Sequence, residues 1–488
     1  MMDRKLCAVK LEGSLGRTLK ISPDIPRLST KDLRTEFINF FRESQSISTL
    51  PSTIIPKRNE GSYFINSGMN QFKSLFLNDH DSDVNQMLSH LIFAVNSQPC
   101  IRIGGKMDDL NDVGYDSYHH TMFEMLGNWS FNHLNKERIC KQMLNFLCKH
   151  LRIPEDAIYV TYFGGDKSTN LPPDLETRDI WLHLGLKDEK LMPFGAKHNF
   201  WQADLQSGGG LCGPSTEIHI DLLALGEKES NHENLRCARC FINKDSPIAI
   251  ELWNAVFITH RRITKPNGES TIIPLKNAHL DTGMGLERLA AIVQGVSSTY
   301  DTDAFTEIFR HVQSQLPSQS RYGAVFASIL TPKQLSQANN EVLTADVEEA
   351  YRDIAYRIVA DHSRALAVSI HDGLLPGRQG LGLKLRHLLY RASRAAHLGL
   401  SVPDPSALIA STVGLAYEVH RGQMLEEWFS AHNVNHVSGP NAVRPSQLSR
   451  SDVEAIINTE LKVIVPRLDK LEEAFDSWYI NNPSLSSQ

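Results

Sequence analysis

The first sustained apolar rhythm follows Ser29. Leu33, Phe37, Phe40 and Phe41 share one face at helical spacing, and Asp32 stands three residues after Ser29, where a serine hydroxyl caps a helix start. Folded structure is expected to begin there. On to about residue 315, apolar runs such as Ala157–Phe163 and Ile248–Ile258 alternate with helical spacings and are cut by glycine and proline turns. The pattern reads as α+β, an antiparallel sheet flanked by helices. After Ala345 glycine thins out except over Gly373 to Gly382, and Leu383, Leu385, Leu388 and Leu389 fall on one amphipathic stretch. That part reads as all-α. The expected organisation is a candidate leader over 1–28, an α+β catalytic region over 29–315, a connector over 316–344, a helical region over 345–480 and a polar tail over 481–488.

Length and composition narrow the classes. A chain of 488 residues, 41% of them hydrophobic, can bury two or three cores. It contains no run of eighteen apolar residues and no apolar segment of signal-peptide type near its N-terminus, so no membrane partner is expected. The seven cysteines (Cys7, Cys100, Cys140, Cys148, Cys212, Cys237, Cys240) are odd in number and scattered, which points to reduced thiols rather than a disulfide framework. Cys237 and Cys240 form a lone Cys-x-x-Cys with no second pair, so zinc is not expected, and the spacing of His432 and His436 is taken as coincidence.

A net charge of −6 gives no global attraction to RNA, so an RNA partner needs a local basic surface. Between Tyr351 and Leu400 eight basic residues (Arg352, Arg357, Arg364, Arg378, Lys384, Arg386, Arg391, Arg394) face three acids (Asp353, Asp361, Asp372). The first thirty residues also lean basic, with Arg4, Lys5, Lys10, Arg17, Lys20 and Arg27 against Asp3, Glu12 and Asp24. Transit segments are poorer in acids than this.

Three clusters carry candidate chemistry. Phe64 to Lys73 (Phe-Ile-Asn-Ser-Gly-Met-Asn-Gln-Phe-Lys) reads as a short packing segment. Cys100-Ile-Arg-Ile-Gly-Gly-Lys106 to Asp109, returning as Tyr118-His-His-Thr-Met-Phe-Glu-Met-Leu-Gly-Asn-Trp129, reads as a strand, a loop and a partner strand. An arginine at its turn suits a triphosphate, because the planar fork grips two phosphate oxygens and offsets charge that grows during attack at phosphorus. Asp281-Thr-Gly-Met-Gly-Leu-Glu-Arg288 leads into a helix with Leu286, Leu289, Ala290 and Val293 on one face, ending at Gly295. Its glycines allow close approach to a nucleotide.

These clusters resemble the three motifs of the class II aminoacyl-tRNA synthetases, in the wording of the alanyl-tRNA synthetases. The resemblance runs from about residue 33 to 475 and implies an antiparallel class II sheet followed by a helical domain that binds the tRNA acceptor stem. It implies ATP contacts at Arg102, Lys106, Asp109, His120, Trp201, Leu252, Trp253, Asn254, Gly285 and Arg288, with Arg102 and Arg288 catalytic. It implies an alanine pocket of Trp201, Asn254 and Asp281, where a buried ammonium finds its negative partner. Magnesium would arrive bound through ATP, with an acidic side chain such as Glu217 or Glu251 as helper and no dedicated protein metal site. Asp361-His362 with Leu383 to Ala392 resembles the acceptor-stem region, so tRNA-Ala contacts are expected at Arg378, Lys384, Arg386, Arg391 and Arg394.

The implied enzyme is an alanine–tRNA ligase without its own editing domain, expected to be a monomer. The alternative is a non-charging RNA-binding or regulatory relative. Such relatives lose the ATP arginines, whereas Arg102 and Arg288 are both present. Gly377-Arg-Gln-Gly380 after Pro376, and Leu171 to Trp181, resemble mitochondrial members, so a mitochondrial location is expected, with the cytoplasm as alternative. Ser207 to His219 is longer than the usual family segment and carries Ser215 where a second cysteine is common, so an altered loop is expected there.

Overall fold

The structure is a computed structural model and describes residues 19, 21–56, 63–77, 91–104, 109–203, 209–225, 238–244, 246, 248–264, 270–317, 320–323, 345–432 and 446–468. Ser29 caps helix α1 (Thr30–Glu43) by accepting the Asp32 amide, and the helix buries Leu33, Phe37 and Phe41. Phe40 is half-buried. Removing such a cap costs about 1 kcal/mol. Ser29→Ala is therefore expected to lower the urea midpoint without changing the slope of the transition. An unmoved midpoint would mean that the cap adds nothing.

Along the chain follow β1 (Ile47–Ser48), a tight turn over Gly68–Phe72, α2 (Lys73–Leu77), β2 (Phe93–Ile101), β3 (Met122–Ser130), α3 (Lys136–Leu144) and β4 (Ile158–Phe163). Next come α4 (Leu175–His183), β5 (Leu191–Phe194), α5 (Ala196–Asn199), β6 (Phe200–Gln202), β7 (Gly209–Asp221), β8 (Ala249–Thr264) and β9 (Ser270–Gly285). The remaining helices are α6 (Leu286–Gln294), α7 (Asp303–Ser314), α8 (Ala345–His371), α9 (Gly380–Gly399), α10 (Ser406–His432) and α11 (Arg450–Ile464). None of the described helices is long and apolar enough to cross a membrane. Among the described residues Cys100, Cys140, Cys148 and Cys212 are unbridged.

The strands form one sheet in the order β1-β2-β3-β9-β8-β7-β4-β5, with β6 beside β7. Its central pairings are antiparallel, as expected, while β1 with β2 and β4 with β5 run parallel at the edges. From Gly209 onward the glycine-rich segment is not a loop but the start of β7. It pairs with β8 across an irregularity between Cys212 and Ser215. Gly213 is demanded there, because a Cβ would sit 1.8 Å from the Phe257 carbonyl oxygen.

Side chains alternate along β8, and the two faces of the sheet do different things. Trp253 and Phe257 point into a core shared with α1, α3 and α6, where Phe37, Phe41 and Phe146 surround the Trp253 indole at 5.7, 6.1 and 5.9 Å. Asn254 lies on the opposite face, which is open. α6 buries Leu286, Leu289, Ala290 and Val293 as its spacing predicts, and Gly295 ends it at φ 68°.

Helices α8 to α11 do not have a core to themselves. Ile101, Ile103, Met122, Tyr300 and Phe305 belong to the same buried cluster as Leu366, Leu385, Leu389, Tyr417 and Ile457. Leu383 breaks the predicted stripe and is half exposed, whereas Leu385, Leu388 and Leu389 are buried. The basic stretch is also reorganised. Arg357 is fully buried against the Tyr322 hydroxyl and the Gly114 carbonyl, and Arg364 meets the Glu287 carboxylate at 2.6 Å. Buried acids explain this, because Asp353, Asp361 and Glu287 cannot stay ionised in the interior without cationic or hydrogen-bonding partners.

Candidate active site

The open face of the sheet carries a cleft of about 450 Å³. Its floor is a row in register, Glu217 on β7 opposite Asn254 on β8, then Gly283 on β9 and Gly127 on β3. Two adjoining glycines clear this floor for their neighbours. A Cβ at Gly127 would collide with the Trp129 ring at 2.0 Å, and the freed ring reaches Asp281, to which its Nε1–H donates at 2.7 Å.

Arg102 directly follows Ile101, the last residue of β2, and its amide donates to the Thr121 carbonyl at 2.9 Å. Its guanidinium lies 4.8 Å from the Phe123 ring centre, donates from Nε to the Asn66 carbonyl, and stands 3.6 Å from Asp109 Oδ2. Arg288, in the first turn of α6, donates to the Glu251 carbonyl at 2.7 Å and lies over the Tyr118 ring at 5.1 Å. Both arginines are held by a few contacts that leave other guanidinium donors for an anion.

Asp281 and Gly285 lie four residues apart on β9, about 13 Å along the strand. The register sets Asp281 beside Trp129 and Gly285 beside Met125. Arg102 and Arg288 therefore gather at the Gly285 end and Asp281 sits further along the floor. Burial pushes the Asp281 carboxyl up to about 7, opposed by the Trp129 hydrogen bond. Burial, and then repulsion from Glu251, also raise Glu217, opposed by His219 and Thr161. Asn254 Oδ1 is buried without a hydrogen-bond partner among the described residues. The reluctant Asp281 carboxylate, with the unpartnered Asn254 acceptor in the adjoining Gly283 row, makes this side a receptor for a cationic donor group.

Of the residues singled out from sequence, Arg102, Asp109, His120, Trp201, Leu252, Asn254, Asp281, Gly285 and Arg288 line the cleft, together with Glu217 and Glu251. Trp253 does not. Strand alternation turns its ring away from its neighbour Asn254 into the core, so the indole does not face the cleft. Lys106, Cys237 and His436 lie outside the described residues, as do the side chains of Cys240 and His432.

His120 borders the cleft, but its ring is packed between Tyr300 and Phe305 and its Nε2 is bonded to Thr299 Oγ1 at 2.6 Å. Tyr118 and His119, which sequence reading passed over, are less buried and also line the cleft. His119 is held by Asp116, whose hydrogen bond and charge raise it against the effect of burial. The segment read as plain packing does bury Phe64, Met69 and Phe72, yet it turns Asn66, Asn70 and Lys73 into the cleft. Only their polarity within an apolar run could have signalled this.

Of the residues expected to meet tRNA, Arg378 is exposed and Lys384 is half-buried, with Nζ 4.8 Å from the Tyr63 ring centre. Arg386 pairs with Glu460 at 2.7 Å. Arg391 turns inward to His362 and the Leu110 carbonyl. Arg394 is half-buried on the same helix. The basic surface is thus smaller than charge counting implied.

A profile of the family described as tRNA synthetases class II (A) matches residues 32–424. The chain is 39% identical over 390 residues to the cytoplasmic alanine–tRNA ligase of Drosophila melanogaster, covering 79% of this chain and 36% of that protein. It is 37% identical over 455 residues to the mitochondrial alanine–tRNA ligase of Homo sapiens, covering 91% and 40%, and 37% identical over 389 residues to the mitochondrial one of Saccharomyces cerevisiae, covering 79% and 36%. The chain therefore spans about two fifths of the length of these relatives. Since the matched span contains every described cleft residue named above, the chain belongs to the family of class II tRNA synthetases, the tRNA synthetases class II (A).

Proposed function

We propose that this chain performs the chemistry of an alanine–tRNA ligase: ATP and alanine give alanyl-adenylate and pyrophosphate, and the terminal ribose hydroxyl of tRNA-Ala then takes the alanyl group. One observation carries the reading. A single cleft sets two arginines at one end of a β-strand floor, a buried carboxylate at the other and an unpartnered amide acceptor in the row between them. Alanine's ammonium suits Asp281 and Asn254 Oδ1, and the Trp201 ring at the cleft wall limits the side chain. Its carboxylate is thereby aimed along the floor towards phosphates held by Arg102 and Arg288. The attacking carboxylate oxygen forms a bond to the α-phosphorus as the bond to the pyrophosphate oxygen breaks. Positioning and offset of the growing charge supply the catalysis.

Magnesium fits the carboxylate oxygens of Glu217 and Glu251, which are hard donors that repel one another. Bound with ATP, it would shield phosphate charge. Arg378, Lys384 and Arg394 offer contacts for the acceptor stem on α9 and the turn before it. The mitochondrial reading is supported by Gly377 to Gly380 and Leu171 to Trp181, and relatives of both compartments match.

The test is ATP–pyrophosphate exchange with each of the twenty amino acids, followed by charging of mitochondrial and cytosolic tRNA-Ala transcripts. Exchange dependent on alanine, with the mitochondrial transcript preferred, is expected. Exchange with no amino acid would overturn the assignment, and preference for the cytosolic transcript would overturn the compartment.

A further inference from the structure

Arg391 was expected to face RNA, yet its guanidinium enters the interior and divides into two limbs. One is direct: Nη2 donates to the Leu110 carbonyl at 3.0 Å, and Leu110 follows Asp109, whose Oδ2 stands 3.6 Å from Arg102 Nη1. The other is a relay. Nε donates to His362 Nε2 at 3.2 Å, and His362 Nδ1 meets Asp361 Oδ2 at 3.0 Å. The Asp361 carboxylate accepts the Thr121 amide at 3.0 and 3.2 Å and lies 3.4 Å from His120 Nδ1. The carbonyl of Thr121 accepts the Arg102 amide at 2.9 Å. Both limbs end on Arg102, one at its side chain and one at its backbone.

The chemistry of the relay is determined throughout. A donor at Arg391 Nε requires an unprotonated His362 Nε2, so the His362 proton sits on Nδ1 and points at Asp361. Burial lowers His362, against the pull of Asp361, which keeps the ring neutral between the two charges. His362 and Asp361 are both fully buried, and in that setting a cation joined to an anion through a neutral imidazole holds one geometry.

We infer that Arg391 is a positioning residue for the phosphate end of the cleft: from helix α9 it fixes both the Asp109–Arg102 pair and the Thr121 backbone from which Arg102 hangs. This rests on the reading of that end as an ATP site. Arg391 stands on the helix that also carries Lys384 and Arg394, so a displacement of α9 on contact with RNA reaches Arg102 through two short paths.

Equilibrium titration with MgATP, and separately with adenosine, tests the inference on wild type, Arg391→Ala, Arg391→Gln and Arg391→Lys. Arg450→Ala serves as control, because Arg450 pairs only with Glu418 and Glu454 among the described contacts, away from the cleft. Arg391→Ala is expected to weaken MgATP about tenfold while adenosine, which lacks the phosphates that Arg102 would hold, binds as before. Arg391→Lys should recover part of the loss and Arg450→Ala should match wild type. Should the alanine variant be insoluble, Arg391→Gln, which keeps an amide donor, carries the comparison. Equal weakening of both ligands, or a lowered melting temperature with MgATP binding intact, overturns the inference alone. A wild type that binds no MgATP overturns the reading of the cleft, and the inference with it.

Discussion

Arg102→Ala is expected to lower kcat/KM for alanine-dependent ATP–pyrophosphate exchange by about a thousandfold, the loss seen when a preorganised donor to a growing oxyanion is removed. The size follows from how Arg102 is held. Its backbone is fixed by Thr121, Phe123 supports the flat face of the guanidinium and Asn66 takes only Nε. The fork is thus oriented before ATP arrives, and little reorganisation is needed when charge develops. Alanine would leave Asp109 without its cation, which adds repulsion between that carboxylate and the phosphates. Arg102→Lys restores the charge but not the fork, so it should recover only part of the rate. The loss should appear in kcat at saturating ATP as well as in KM, because attack at phosphorus needs more charge offset than the ground state does. A loss below about fivefold would mean that Arg102 does not face the reacting phosphate.

Much of this site is legible in the chain because it is local. Ser29 with Asp32, the Arg102 strand end, and Gly285 to Arg288 entering a helix are each set by residues a few positions apart, and the structure keeps all three. What the sequence conceals is direction. Trp253 and Asn254 are neighbours on one strand, and period-2 alternation sends one to the core and the other to the cleft; the sequence alone does not say which face is open. The basic residues of 351–400 mislead for a related reason. Charge counting treats each as solvated, but Asp353, Asp361 and Glu287 are buried beside them, and Arg357, Arg364 and Arg391 are spent inside. The core shared between the sheet edge and α8 to α11 joins residues some three hundred positions apart, such as Ile101 and Leu389, and no local pattern reports it. The polar side chains of Asn66, Asn70 and Lys73 did carry a signal, overridden by the apolar residues between them.

Asp281 gives the second large effect, and it has a sign in pH. Burial holds the carboxyl near 7 rather than at its ordinary 3.8. Without ligand the group is therefore mostly protonated below pH 7, while in the unfolded chain it ionises near 4. Its contribution to stability is present below about pH 4 and is lost as pH rises through about 7. Alanine reverses that cost, since its ammonium needs the ionised form. Below pH 7 binding must expel a proton, so the KM for alanine should rise about tenfold for each unit of acidification. Above pH 7 it should level off, and alanine should raise the melting temperature more at pH 8 than at pH 6. Glu217 is raised in the same direction and lies on the same floor, so a variant is needed to separate the two groups. Asp281→Asn keeps the size and an acceptor for the Trp129 indole while removing the charge. It should raise the KM for alanine about a hundredfold at pH 8, as expected when one partner of a buried charge pair is removed, and flatten the profile between pH 6 and 8. A profile that keeps its slope in Asp281→Asn would assign the titration to Glu217 and move the ammonium to that side of Asn254.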